Sequence, residues 1–155
     1  MLRLTKLTDY GILLMSHLAS SSLPVHTAAG LAEATKVPLP TVSKILQMLL
    51  HDGLLESLRG ANGGYRLSRA PQQISVREIV HTLEGRIALT DCNLDDCACS
   101  QQGSCVAAAN WQRINDAITQ VLENITLAEM AEPGFVPLFR MEKVRTIPLR
   151  VVQAT

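Results

Sequence analysis

All four cysteines of the chain, Cys92, Cys97, Cys99 and Cys105, lie inside one short stretch, DCNLDDCACSQQGSC. A fold that depends on disulfides scatters its cysteines so that bridges tie distant segments together, and such folds are usually shorter than this one of 155 residues. The chain must therefore be held by its apolar interior. Apolar residues make up 47% of it and aromatic residues 3%, which predicts an aliphatic, helix-rich core. The length allows one sizeable core with an appended arm, and hardly two independent domains.

The thiols themselves follow C-x4-C-x-C-x5-C, a spacing that fits none of the common zinc patterns built on paired CxxC or Cys/His knuckles. Soft thiolates on a loop that can wrap its cargo suit an iron-sulfur cluster. A zinc site, a reversible thiol switch and inert cysteines are the alternatives.

Charge is unevenly spread although Lys and Arg balance Asp and Glu at 14 each. Residues 1–70 hold seven basic against four acidic side chains, and residues 91–133 hold one against seven. Such a split suits a basic head that meets an anionic polymer and an acidic arm with another task. Arg3 and Lys6 before GILLMSHLAS superficially resemble a secretory leader, but Asp9 and Tyr10 break into the apolar run, so the segment reads as an amphipathic helix. No stretch approaches the roughly 18 apolar residues of a membrane span. The expectation is a soluble protein of a reducing cytoplasm.

The head reads as a mostly α-helical winged helix-turn-helix. Tyr10, Leu13, Leu14 and Leu18 mark one helical face between about Thr5 and Ala19. Thr27 can cap a second helix, AAGLAEATK. Pro40 suits the first turn of a third, in which Val42, Ile45, Leu46, Leu49 and Leu50 form the buried stripe and Thr41, Ser43, Lys44 and Gln47 the polar side. Two short helices joined tightly, the second presenting small polar and basic groups, describe a reader of the major groove. Gly53 ends that helix, and Asn62-Gly63 in RGANGGYRL signals a β-hairpin wing. Arg59 at its base and Arg66 on its returning strand are candidates for phosphate or minor-groove contact, with Asn62 at the tip. The bland alternative for the Thr41 to Gln47 face is a solvated helix surface.

Ser75 to Glu78 has the form of a capping box and starts another helix that leads to the cysteines. Beyond them Ala107, Trp111, Ile114, Ile118, Val121 and Ile125 advance by alternating threes and fours, a heptad seam whose economical partner is a second copy of the chain. The predicted organisation is a DNA-binding head over 1–85, a cysteine loop and dimerisation helix over 86–131, and an extension over 132–155. The tail after Pro133 carries four basic residues against one acidic. No nucleophile-base constellation or nucleotide-binding glycine loop is evident, which argues against an enzyme with a small-molecule substrate. His17, His26, His51 and His81 lie in or beside helices and read as packing or capping residues.

Across residues 1–131 the chain resembles the bacterial Rrf2-type winged-helix regulators typified by IscR and NsrR. LTKLTDYGILLMSHLA, VPLPTVSKILQMLLHDGLLESLRGANGGYRLSR, SVREIVHTLEG, the cysteine loop and ENITLAEM match in order. The resemblance implies a homodimer that binds double-stranded operator DNA and whose cluster occupancy sets its affinity, most similar to the regulators of the SUF pathway of iron-sulfur assembly. It makes Cys92, Cys99 and Cys105 the first-choice ligands, with Cys97 a substitute or a spare redox-active thiol. IscR-like proteins carry a histidine where this chain has Ala108. NsrR-like proteins use an acidic residue from the first helix of the partner subunit, and Asp9 matches that position. Asp9 otherwise reads as a first-turn acid that favours the helix dipole.

Overall fold

The computed structural model describes residues 4–60, 63–90 and 105–134. Helix α1, Lys6–Ser20, begins where the Thr5 hydroxyl accepts from the Thr8 N–H, and it buries Thr8, Gly11, Leu14, Met15 and Leu18 along one face. Helix α2, Ala28–Thr35, is capped by Thr27, whose hydroxyl accepts from the Gly30 N–H at 3.0 Å. Helix α3, Leu39–His51, has Pro40 in its first turn and buries Val42, Ile45, Leu46 and Leu49. Gly53, at φ +74°, turns the chain out of it.

Strands β1, Leu55–Leu58, and β2, Gly64–Leu67, pair antiparallel with Leu55 opposite Leu67 and Leu58 opposite Gly64. A third segment joins them. His26, in the α1–α2 connection, bridges Tyr65, its N–H donating to the Tyr65 carbonyl at 2.9 Å and its carbonyl accepting from the Tyr65 N–H at 2.7 Å. Gly64 permits this approach, because a Cβ there would stand 2.5 Å from the His26 carbonyl oxygen. The His26 ring is buried edge-on to His17, and its Nε2 meets no hydrogen-bond partner among the described residues. Burial first, then the charge of His17, lowers its pKa and favours the neutral ring.

Helix α4, Val76–Glu84, starts on the expected capping box of Ser75 and Glu78. It crosses α1 closely: a Cβ on Gly11 would lie 2.1 Å from Leu83 Cδ1, so glycine makes room for the leucine. Helix α5, Ala108–Asn124, is followed by a short α6, Leu127–Ala131. The latter carries the wholly buried Leu127 back among Leu14, Met15, Ile45, Leu46, Ile74 and Ile79. Backbone bonds fasten this return, Leu127 N–H to Ile74 O at 2.8 Å and Val76 N–H to Ile125 O at 2.9 Å. The end of the arm is thus part of the head's core. Among the described residues no helix is long and apolar enough to cross a membrane.

Lys36, which closes α2, is the one non-glycine residue at positive φ among the described residues, at +59°. A Cβ is unfavourable there by about 1 kcal/mol or more relative to glycine. Lys36→Gly is expected to raise stability by about 1 kcal/mol, read as a higher urea midpoint at unchanged slope.

Candidate nucleic-acid interface and cysteine segment

The helix-turn-helix is α2 and α3, joined through Lys36, Val37 and Pro38. Val37 is buried and anchors the turn, while Lys36, Pro38, Leu39 and Pro40 are exposed. On α3, Lys44 and Gln47 are exposed on the side away from the Val42, Ile45 and Leu49 stripe, while Thr41 and Ser43 are half-buried at its margins.

The wing leaves β1 at Arg59, which is exposed and has no ion-pair partner among the described residues. Gly60, at φ +112°, and the Gly63 N–H donating to the Gly60 carbonyl at 2.9 Å narrow the turn. Asn62 lies outside the described residues. Arg66 is engaged within the sheet: its Nε and Nη2 donate to Glu56 Oε2 at 3.0 and 2.8 Å across the two strands. The pair is half-exposed, so it stiffens the wing modestly, and a phosphate would have to compete with Glu56 for Arg66.

The cysteine segment departs from α4 at a well-tied point. Glu84, the last residue of that helix, accepts from the Thr5 N–H and the buried Thr8 hydroxyl, both at 2.6 Å. Its carboxylate therefore caps the start of α1 from another element. The Thr8 hydroxyl is the leading cause that lowers its pKa. Farther along, the buried Asn115 of α5 accepts the Leu89 N–H on its Oδ1 at 3.1 Å. At the far end Cys105 is a free, half-buried thiol whose carbonyl accepts from the Ala108 N–H at 3.2 Å, joining it to the first turn of α5. Cys92, Cys97 and Cys99 lie outside the described residues. Asp9 is exposed in the first turn of α1. Among the described residues no three His, Cys, Asp or Glu side chains converge as a metal site.

Along α5 the expected seam divides. Trp111 and Ile114 are 42% and 46% exposed and Val106 ahead of them 91%, while Ile118, Val121 and Ile125 are half-buried against the chain's own helices. Arg77 of α4 pairs with Glu123 at 3.0 Å across this second half. Among the described residues the first half is the exposed one.

A winged helix-turn-helix followed by a cysteine segment and a long helix matches the Rrf2 family model, described as iron-dependent transcriptional regulator, over residues 4–133. The chain belongs to the Rrf2 family. A similar protein is the HTH-type transcriptional regulator IscR of Cronobacter sakazakii, 31% identical over 131 residues that cover 83% of this chain and 80% of that one. Among solved structures, T. potens IscR is 30% identical with a TM-score of 0.63, covering 83% of this chain and 85% of its own. CymR, the global cysteine regulator of B. subtilis, is 26% identical with a TM-score of 0.65, covering 84% and 97%. As an Rrf2 protein the chain is a DNA-binding transcription regulator rather than an enzyme.

Among the features of this Rrf2 chain that escaped sequence reasoning are the contacts of Glu84 and the helix α6. The reach of Glu84 to Thr5 and Thr8 spans some eighty residues and leaves no local signal. Helix α6 did have one: Thr126 and Glu129 form the same reciprocal cap as Ser75 and Glu78.

Proposed function

We propose that this Rrf2 regulator is a homodimer that grips operator DNA through α3 and the wing and reports iron-sulfur cluster status through its cysteine segment. Cys92, Cys99 and Cys105 hold the cluster, and Asp9 of the partner copy, or Cys97, completes the set. The observation that carries this reading is the tethering of the segment: Glu84 ties its approach to the first helix of the head, and Asn115 and Cys105 tie it to α5. The donor chemistry fits, since thiolates are the ligands such clusters require and Cys105 is free and within reach of solvent. When bound, the cluster supplies a redox-responsive centre whose loss returns the thiols. The chain's own residues then set the consequence, because Leu89 and Cys105 are both fixed to α5 and order in the segment bears on the spacing of the two heads. Genes of iron-sulfur assembly, in the cytoplasm, are the first targets to examine.

A second reading has support of its own. CymR, which shares the fold, is a cysteine regulator, and Cys105 is a half-buried free thiol, so a zinc site or a reversible disulfide among the four cysteines would use the same segment. Anaerobic purification with absorption spectra and iron, sulfide and zinc counts separates the two. A coloured protein with iron and sulfide in equal amounts, bleached by substituting Cys92, Cys99 and Cys105 together, is the expected result. Colourless protein holding one zinc per chain, or thiols that pair on mild oxidation, would overturn the cluster in favour of the switch.

A further inference from the structure

The end of α3 that leads into the groove carries an unusual surface. In helix-turn-helix proteins the first residues of the second helix meet the base edges, and here the helix opens with Leu39 and Pro40 behind the cap residue Pro38, all three exposed. Leu39 is 46% exposed, one of eight large apolar side chains so placed among the described residues. None of the three has a polar side chain. Pro40 has no N–H, and the Thr41 and Val42 N–H groups both donate to the Pro38 carbonyl, at 2.9 and 3.0 Å. That leaves the Leu39 N–H, which suits a phosphate oxygen at a helix start. The helix has no side-chain cap. The first polar side chain on the helix is that of Thr41, which is half-buried, so the exposed tip is apolar.

The major groove presents nitrogen and oxygen atoms at every base pair, and one apolar group, the C5-methyl of thymine. An apolar tip discriminates among bases in that groove through this methyl. Farther along the same helix Thr41, Ser43, Lys44 and Gln47 can meet polar edges and phosphates, so the apolar patch continues the surface assigned to DNA. We infer that Leu39, supported by Pro38 and Pro40, reads a thymine methyl in each half-site, and is thereby a specificity-determining residue of the regulator.

The inference rests on α3 being the helix that enters the groove, and the test separates the two. The full-length protein would recover duplexes from a random-sequence pool, and the tightest would be remade with deoxyuridine replacing each thymidine in turn, which deletes one methyl and nothing else. One thymidine position per half-site is expected at which uracil weakens binding roughly fourfold, the worth of one buried methyl group. In Leu39→Ala that preference should vanish while other positions respond as before. Circular dichroism would confirm the fold, which an exposed side chain leaves intact. Uniform tolerance of uracil, or a preference that survives in Leu39→Ala, overturns the inference. If Lys44→Ala weakens binding in that same set, α3 still reads DNA and only the methyl contact has failed. If neither Lys44→Ala nor Leu39→Ala changes binding, the assignment of α3 has failed with it.

Discussion

Ile114→Glu should produce a folded monomer that has lost at least a hundredfold of its operator affinity. Trp111 and Ile114 stand 42% and 46% exposed on the first half of α5, on a seam whose second half is already spent on the chain's own packing. Two large apolar side chains one helical turn apart suit the knobs of the proposed helix pair, and a carboxylate in such a seam would have to be desolvated against its own copy. The side chain is not part of the intrachain core, so folding should hardly change. A regulator bound through one half-site forgoes the gain of tethering two heads, which is commonly 10²–10⁴ in affinity. Sedimentation velocity measures the first consequence and operator titration the second. A variant that still sediments as a dimer would place the interface elsewhere.

The second large effect is expected at a residue with no side chain. In Gly64→Ala a methyl group would stand 2.5 Å from the His26 carbonyl oxygen and 2.8 Å from its carbonyl carbon, and backbone cannot step aside as a side-chain tip can. Either the His26 segment peels away, losing both hydrogen bonds to Tyr65, or the hairpin shifts. A cost of about 3 kcal/mol is expected, at the upper end of overpacking losses. Urea denaturation would measure it, and the loss should be accompanied by weaker DNA binding because the wing's anchor to the head is gone. Stability within about 0.5 kcal/mol of the parent, the range of an ordinary surface substitution, would show that the His26 bridge is dispensable.

The helices were legible wherever local chemistry announces them. Thr27, Pro40 and the Ser75–Glu78 pair carry their own capping or first-turn logic, and the Val42, Ile45, Leu46 and Leu49 stripe is a matter of spacing alone. Both strands of the wing follow from the turn residues between them. What sequence could not show is what depends on distance along the chain. His26 read as a packing or capping residue beside a helix, yet its backbone forms a β-bridge to Tyr65. Arg66 read as a candidate for phosphate or minor-groove contact, and Glu56 faces it at the register that pairs the two strands. The seam on α5 read as uniform, because a heptad pattern marks which residues are apolar and not which helix covers them. Of the candidate ligands, Cys105 and Asp9 fall within the described residues, and their placement at the two helix starts was visible from spacing. Cys92, Cys97 and Cys99 lie outside them.

The carboxylate of Glu84 has a consequence of its own. It is the last residue of α4 and also the cap of α1, so the first peptide of the path toward the cysteines and the first turn of the reading head share one anchor. A displacement of Gly85 would reach Thr5 and Thr8 through this carboxylate as well as through the packing of Leu83 on Gly11, and the first of those routes would weaken in acid once the carboxylate takes up its proton.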